Sequence, residues 1–319
     1  MSNSFFKVLR AGVNTTYQDK GRFGLQHFGI VAGGCMDNES FLFSNIILGN
    51  KKTEGVIEFA HQGPLLKLIK GKAKISITGN VIFKIIHLNT KTIDGKSNRS
   101  YNLEEGDVID ILATKESVYG YLSVKGGFNL KSFCNSVSTL VKGQIGPNGG
   151  KKIENEDRVF IKNDNIDKKN FLVDYIPSCS NIIRVLKGPQ YEYFSKDSQK
   201  NFLSKNYNIT NLTDRMGMRL EGPVLKNVIS CNIRSEGITK GAIQVPADGQ
   251  PIVLLTDHPT IGGYPKIANV ASVDYDLLVQ KKPRTSILFK CIELKEAEQL
   301  YNEKQKKILK IAKNIKEVS

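Results

Sequence analysis

Apolar runs in this chain are short and closely punctuated. Phe6–Leu9, Leu65–Ile69, Ala73–Ile77, Val81–His87, Val108–Leu112, Gly120–Val124, Ile182–Leu186, Ile252–Leu255 and Ser286–Phe289 each span four to seven residues, with Gly, Asn, Asp or Pro near their ends. Runs of that length, frequent in β-branched residues, predict strands rather than helices. Part of the pattern occurs twice. Gly106-Asp-Val-Ile-Asp-Ile-Leu112 resembles Gly249-Gln-Pro-Ile-Val-Leu-Leu255, and Gly120-Tyr-Leu-Ser-Val124 resembles Gly263-Tyr-Pro-Lys-Ile267, with a common offset of 143 residues. Upstream, Gly63-Pro-Leu-Leu-Lys67 resembles Gly222-Pro-Val-Leu-Lys226, and Val8-Leu9 with Gly12 resembles Val185-Leu186 with Gly188. A repeat kept in order predicts two related β-rich halves.

Helices are few. Asp37 is a suitable N-cap for a helix over Asn38–Leu48, with Gly49 as its stop. Ser195–Lys205 carries a second. A third starts near Lys295, where Ala297, Leu300, Tyr301, Ile308, Ile311, Ala312 and Ile315 recur at helical spacing; its last residues, Lys316–Ser319, are expected to fray. The Lys- and Asn-rich stretch Lys162–Lys169 is the linker candidate. The resulting division is a β domain over residues 1–170, a second over 171–293 and a C-terminal helix over 294–319.

Of the 319 residues 40% are hydrophobic and 24% charged, as in an ordinary globular protein. No run approaches the ~20 apolar residues of a membrane-spanning helix. The first residues, Met1–Lys7, lack the apolar core of a signal peptide, so a cytoplasmic protein without membrane attachment is expected. Five scattered cysteines with no Cys-x-x-Cys pair argue against a disulfide framework and a zinc site. The four histidines are too dispersed for a ligand set, so no metal is assigned. A net charge of +15 raises the question of nucleic acid. The lysines are spread along the chain without interleaved aromatic residues, which points to a solvated basic surface.

Three polar constellations stand out. Asp19, Arg22 and Asp37 lie in Asp19-Lys-Gly-Arg-Phe-Gly24 and Gly33-Gly-Cys-Met-Asp37. The glycines let the backbone turn tightly, and Arg22 offers a planar fork to a carboxylate or phosphate. Asp37 is either a site residue or only the helix cap. The second set is Asp214-Arg-Met-Gly-Met-Arg219, whose Asp214–Arg215 pair either contacts substrate or knits a loop. The third runs from Ser235 to Leu277 and holds Glu236, Gln244, Gln250, Asp257, His258, Thr260, Tyr264 and Lys266. Amides beside a cation and a Gly262-Gly263 pair suit an amide, ureido or carboxylate ligand. Gly146-Pro-Asn-Gly-Gly-Lys-Lys152 is not a phosphate loop, since its glycine spacing is wrong and Lys152 stands where Ser or Thr should follow the lysine.

With Ser235-Glu-Gly and Gly241-Ala-Ile-Gln-Val-Pro-Ala-Asp-Gly-Gln-Pro-Ile252 added, these motifs resemble the allophanate hydrolase subunit 2 family, which includes the C subunits of 5-oxoprolinases and biotin-dependent carboxyltransferase-like proteins. The resemblance covers about residues 5–292. It implies a mainly β fold of two tandem cyclophilin-like β-barrel domains with few helices. It also implies one member of a multi-subunit 5-oxoprolinase that hydrolyses 5-oxoproline to glutamate with ATP, its partners being A-like and B-like subunits. Under that reading Arg22, Arg215 and Lys266 are candidates for anion contacts. Asp19, Asp37 and Glu236 are candidates for catalytic proton handling, and Asp214, Gln244, Gln250, Thr260 and Tyr264 for substrate contacts. The family offers two alternatives: carboxyl transfer from carboxybiotin to a urea-like acceptor, or a non-catalytic antagonist of a kinase inhibitor that resembles the B subunit. For biotin a separate carrier is required, because no methionine is followed by lysine. One position departs from the pattern: Asn135-Ser-Val-Ser-Thr139 has Val137 where the family usually carries arginine.

Overall fold

The computed structural model describes residues 4–88, 92–162 and 164–318. Asn163 of the linker candidate and Ser319, at the end of the stretch expected to fray, lie outside the described residues. The chain is mainly β and divides into two compact units: residues 1–22, 33–176 and 308–319 form one, and residues 23–32 and 177–307 the other. Lys162–Lys169 falls inside the first unit, and the chain passes to the second at Ile176–Pro177. There Lys74 Nζ meets Asp167 Oδ1 at 2.8 Å and Lys169 pairs with Glu317 at 2.9 Å.

The first unit is built from two antiparallel sheets. One has six strands in the order Arg158–Phe160, Phe5–Arg10, Leu65–Lys70, Val108–Thr114, Val81–Ile86 and Thr92–Asp94. The other has seven, in the order Thr16–Gln18, Val56–Ala60, Tyr119–Val124, Ala73–Thr78, Arg99–Leu103, Asn170–Leu172 and Lys316–Val318. Their facing sides share a core that includes Phe6, Leu66, Phe83 and Ile109 from the first sheet and Phe59, Ile75, Ile77 and Leu122 from the second. Val81–Ile86 alternates inward and outward with period two, as a strand with one wet face must. Ala73–Thr78 and Tyr119–Val124 are buried on both faces.

The reason is helix α1 (Asn38–Ile47), which packs on the outer side of those two strands. The layer beneath it is polar and hydrogen-bonded. Thr78 Oγ1 donates to Ser40 O at 2.7 Å and Ser123 Oγ to Asn45 Oδ1 at 2.9 Å. Such pairing is what makes burial of hydroxyls and amides tolerable. Ile308, from the last turns of the C-terminal helix (Leu294–Lys313), packs with Phe43, Ile47 and Val173 in this unit. The residues expected to fray instead form a strand: Lys316–Val318 pairs with Asn170–Leu172 and is flanked by the Lys169–Glu317 and Lys316–Asp174 ion pairs.

The second unit is a closed barrel in the order Ile182–Lys187, Lys266–Val270, Ala242–Gln244, Ile252–Leu254, Gly217–Glu221, Tyr207–Thr213 and Ser286–Cys291. Each antiparallel neighbour reverses direction, so a ring of seven cannot close on antiparallel pairs alone. The parallel pair is Ile182–Lys187 with Ser286–Cys291, the first and last barrel strands in the chain. Helix α2 (Lys196–Ser204), within the expected stretch Ser195–Lys205 and capped by Ser195, puts Phe202 on Phe289 with ring centroids 4.7 Å apart. Helix α3 (Ser272–Val279) was not expected, because apolar residues on several sides blur the face that buries Tyr275, Leu278 and Val279. Arg184 Nε donates to Asp274 of this helix at 2.8 Å.

The repeat is visible as strands at Val108–Thr114 and Ile252–Leu254, each paired on both sides. Leu65 opens a strand, whereas the matching Val224–Lys226 is irregular, so not every echo became the same element. Among the described residues no helix is long and apolar enough to cross a membrane.

Candidate functional site

The candidate residues form two sets, one in each unit. In the first unit, Asp19 and Arg22 follow the strand Thr16–Gln18 and are enclosed by Ser136–Thr139. Asp19 Oδ1 accepts from Gly21 N and Ser136 Oγ, and Oδ2 from Val137 N, all at 2.7 Å. Arg22, only 1% exposed, donates from Nη2 to Ser138 O. Ser138 Oγ accepts from Gly34 N at 2.7 Å and donates to Gln18. The segment with Val137 in place of arginine therefore meets Asp19 through backbone and hydroxyl groups. The Val137 side chain faces Gly55, where a Cβ would lie 2.5 Å from its Cγ2.

The turn at Gly33-Gly34 is tight for a local reason. Gly34 has φ +104°, and a Cβ there would lie 2.8 Å from Lys20 O. The amides that follow are all engaged: Gly34 N with Ser138 Oγ, Cys35 N with Asp19 O, Met36 N with Glu58 Oε2 and Asp37 N with Tyr121 Oη. This glycine turn thus directs its donors into the protein rather than offering them to an anion. Asp37 is the N-cap of α1. Its Oδ1 accepts from Glu39 N at 3.0 Å and Ser40 N at 3.1 Å, and its Oδ2 from Ser40 Oγ at 2.7 Å. Of the two readings of Asp37, this geometry supports the cap.

Glu58 and Tyr121 carried no sequence signal. They sit on adjacent strands, Tyr121 Oη donating to Glu58 Oε2 at 2.8 Å. Burial, then the Glu58 charge, pushes the Tyr121 phenol well above its ordinary range, so it stays a proton donor.

In the second unit, Asp214 caps its own turn, accepting from Met216 N at 2.8 Å and Gly217 N at 3.1 Å. Arg215 forms a two-point pair with Asp257. Gln250 clamps the backbone of Gly222, accepting from its N at 2.9 Å and donating to its O at 3.2 Å. Thr260 takes part through its carbonyl, which accepts from Ile238 N, and Tyr264 is exposed. His258 is buried and its Nδ1 lies 2.7 Å from Pro259 O; burial holds its pKa below the ordinary value.

A separate cluster brings Glu236, Gln244 and Lys266 together. Gln244 and Lys266 are direct partners across neighbouring barrel strands. Lys266 Nζ is ion-paired with Glu236 Oε1. Gln190, which no motif singles out, joins them: its Nε2 donates to Glu236 Oε1 at 2.9 Å and its Oε1 accepts from Lys266 N at 3.1 Å. The Lys266 ammonium, then the Gln190 amide, hold the Glu236 carboxyl below its ordinary pKa. Among the described residues no cluster of His, Cys, Asp and Glu is arranged to hold a metal. Chemically this cluster offers buried hydrogen-bond donors and a carboxylate at its mouth.

A family model described as the carboxyltransferase domain, subdomain A and B, matches residues 28–291. The C subunit of 5-oxoprolinase from Haemophilus influenzae is 34% identical over 293 residues, covering 92% of this chain and 93% of the relative. The urea amidolyase of Lachancea kluyveri is 27% identical over 321 residues, covering 92% of this chain but 17% of that protein. In the solved urea amidolyase of K. lactis the same fold recurs with a TM-score of 0.87 at 24% identity, over 98% of this chain and 20% of that one. The match to the family model across most of the sequence, and the near full-length match to the C subunit of a 5-oxoprolinase, lead to one conclusion: this chain belongs to the family of the carboxyltransferase domain, subdomain A and B.

Proposed function

We propose that this protein is the C subunit of an ATP-dependent 5-oxoprolinase, acting in the cytoplasm with A-like and B-like partner subunits to hydrolyse 5-oxo-L-proline to L-glutamate. The observation that carries this reading is the near end-to-end match, on both sides, to a protein named as the C subunit of 5-oxoprolinase. The urea amidolyase relative, by contrast, is matched over only 17% of its length.

The chemical problem is a stable lactam. ATP supplies a phosphoryl group to the lactam carbonyl oxygen, which activates the carbonyl carbon to water; the ring C–N bond then breaks, and a second water releases phosphate and glutamate. The part of this chain is to bind and orient the anionic substrate and to meet developing negative charge with fixed donors. Lys266 and Gln244 suit that task, since they present donors from barrel strands, with Gln190 beside them from a turn. Asp19 and Arg22 hold the loop of Ser136–Thr139, and Asp37 fixes the start of α1. ATP phosphates do not fit Gly146–Lys152: Asn148–Gly150 is a short 3₁₀ turn followed by extended chain, not a loop opening a helix. ATP enters this reading through the complex.

A second reading, carboxyl transfer from carboxybiotin to a urea-like acceptor, has the family description in its favour. The buried donors of Lys266 and Gln244 fit a ureido carbonyl as well as a carboxylate, and biotin would arrive on a separate carrier. The test combines this purified chain with the A and B subunits, 5-oxoproline and ATP. Glutamate formation that requires all three proteins is expected. Carboxyl transfer from free carboxybiotin without glutamate would replace the first reading with the second. Binding to a B-like kinase inhibitor with neither reaction would establish the antagonist.

A further inference from the structure

Lys266 is a cation built into a barrel wall, with 5% of its surface exposed. Directly across from it stands Gln244, 6% exposed, whose Nε2 has no hydrogen-bond partner among the described residues. A buried amide left unpaired is unusual in a folded protein and calls for an acceptor. Gln190 Nε2 points to the same place from the side. Lys266 Nζ and Gln190 Nε2 meet on the Glu236 carboxylate, and Gln244 Nε2 lies against Gly262, the strand partner of Glu236.

That carboxylate differs from Asp257. In the Arg215–Asp257 pair the side chains are largely enclosed, at 13% and 8% exposure. In the Lys266–Glu236 pair the cation is 6% exposed and the anion 43%. Glu236 also stands on a minimal ribbon, Glu236–Gly237 paired with Ile261–Gly262, rather than on the barrel itself. The same ribbon covers Gln244: a Cβ on Gly262 would lie 2.7 Å from Gln244 Nε2. Lys266 and Gln244 are held by barrel strands and the anion by a two-residue ladder, so the anion is the exchangeable member.

We infer that Lys266, Gln244 and Gln190 form a receptor for the carboxylate of a small-molecule ligand, and that Glu236 fills it as an internal stand-in which the ligand displaces. Donors alone select an anion with two acceptor oxygens, one for Lys266 Nζ and one for Gln244 Nε2. Release of Glu236 removes the ion pair that ties the ribbon to the wall, and movement of the ribbon uncovers Gln244. The inference deepens the function proposed above by placing the substrate's carboxylate, and rests on it only for the identity of the acid.

The experiment titrates the full chain, without partners, with three probes: 5-oxo-L-proline, cyclopentanecarboxylate (an acid without a lactam) and 2-pyrrolidinone (a lactam without an acid). Calorimetry gives the affinity. The Gln244 side-chain amide signal, identified by its loss in Gln244→Leu, reports contact. Glu236→Ala is expected to tighten both acids by about tenfold and to leave the neutral lactam unchanged. Both acids are expected to shift the Gln244 signal, and Lys266→Met or Gln244→Leu to weaken them. The inference is overturned if Glu236→Ala binds neither acid, if its affinity for acids is unchanged or lower, or if saturation leaves the Gln244 signal in place. A complex that makes no glutamate would remove the proposed function while leaving these binding results intact.

Discussion

Arg215 and Asp257 form a parallel two-point ion pair, Nε to Oδ2 at 2.8 Å and Nη2 to Oδ1 at 2.9 Å, reinforced by Asp257 N donating to Arg215 O at 2.8 Å. Both side chains are largely buried, so removing one leaves the other as an uncompensated charge. Arg215→Met is expected to cost about 3–5 kcal/mol of stability, whereas the double change Arg215→Met with Asp257→Leu costs far less. Arg215→Lys keeps the charge and loses the fork, so it should fall between. Urea unfolding of the four proteins checks the order.

The Asp37 carboxylate is engaged with the start of α1. Asp37→Ala should lower stability by about 1 kcal/mol, and Asp37→Ser should restore most of it because serine also caps. With the A and B subunits present, Asp37→Ser is expected to keep its rate. A stable Asp37→Ser protein with no turnover would return Asp37 to the list of reacting groups.

Arg22 is fully buried against Ser138 O, so its loss acts through structure as well as chemistry. Arg22→Ala is expected to unfold more easily by roughly 1–3 kcal/mol, the cost of leaving buried groups unpaired. Glutamate formation by the reconstituted complex should fall as well. Thermal melts beside rate measurements separate the two effects, and an unchanged rate would take Arg22 out of the site.

His258 predicts an acid limb of stability. Burial holds its folded pKa below the ordinary 6.5, so the unfolded chain binds the proton more readily. This contribution is fully present above about pH 6.5 and is lost as pH falls below that value. His258→Gln is expected to flatten the pH dependence of the urea midpoint between about pH 5 and 7. A midpoint that falls equally in both proteins would place the acid limb elsewhere.

Much of the fold is written locally. Short punctuated runs give strands, and Asp37 and Ser195 announce α1 and α2 by cap chemistry. Helix α3 was hidden because Val273 and Leu277 blur the face on which Tyr275, Leu278 and Val279 are buried; Asp274 also ties the helix to Arg184 of a distant strand. The site was legible as a set of residue types and not as partnerships. Asp214 and Arg215 are adjacent, yet Arg215 pairs with Asp257, forty-two positions away. Glu58 and Tyr121, or Gln190 and Lys266, are brought together by strand pairing and by a loop, which no short window contains. The C-terminal strand was missed for the same reason, since Lys316-Glu-Val gains its order from a sheet edge and flanking charges.

The parallel closure of the seven-strand barrel has a consequence for how the second unit is made. Its first and last strands, Ile182–Lys187 and Ser286–Cys291, must find each other across roughly a hundred intervening residues, a slow, non-local contact. A ribosome has to release the chain to about Cys291 before the ring can be sealed. Until then Ile182–Lys187 presents an open edge with buried-type residues such as Ile183 and Val185, and the nascent protein passes through a window in which strand exchange with a neighbouring copy competes with its own completion.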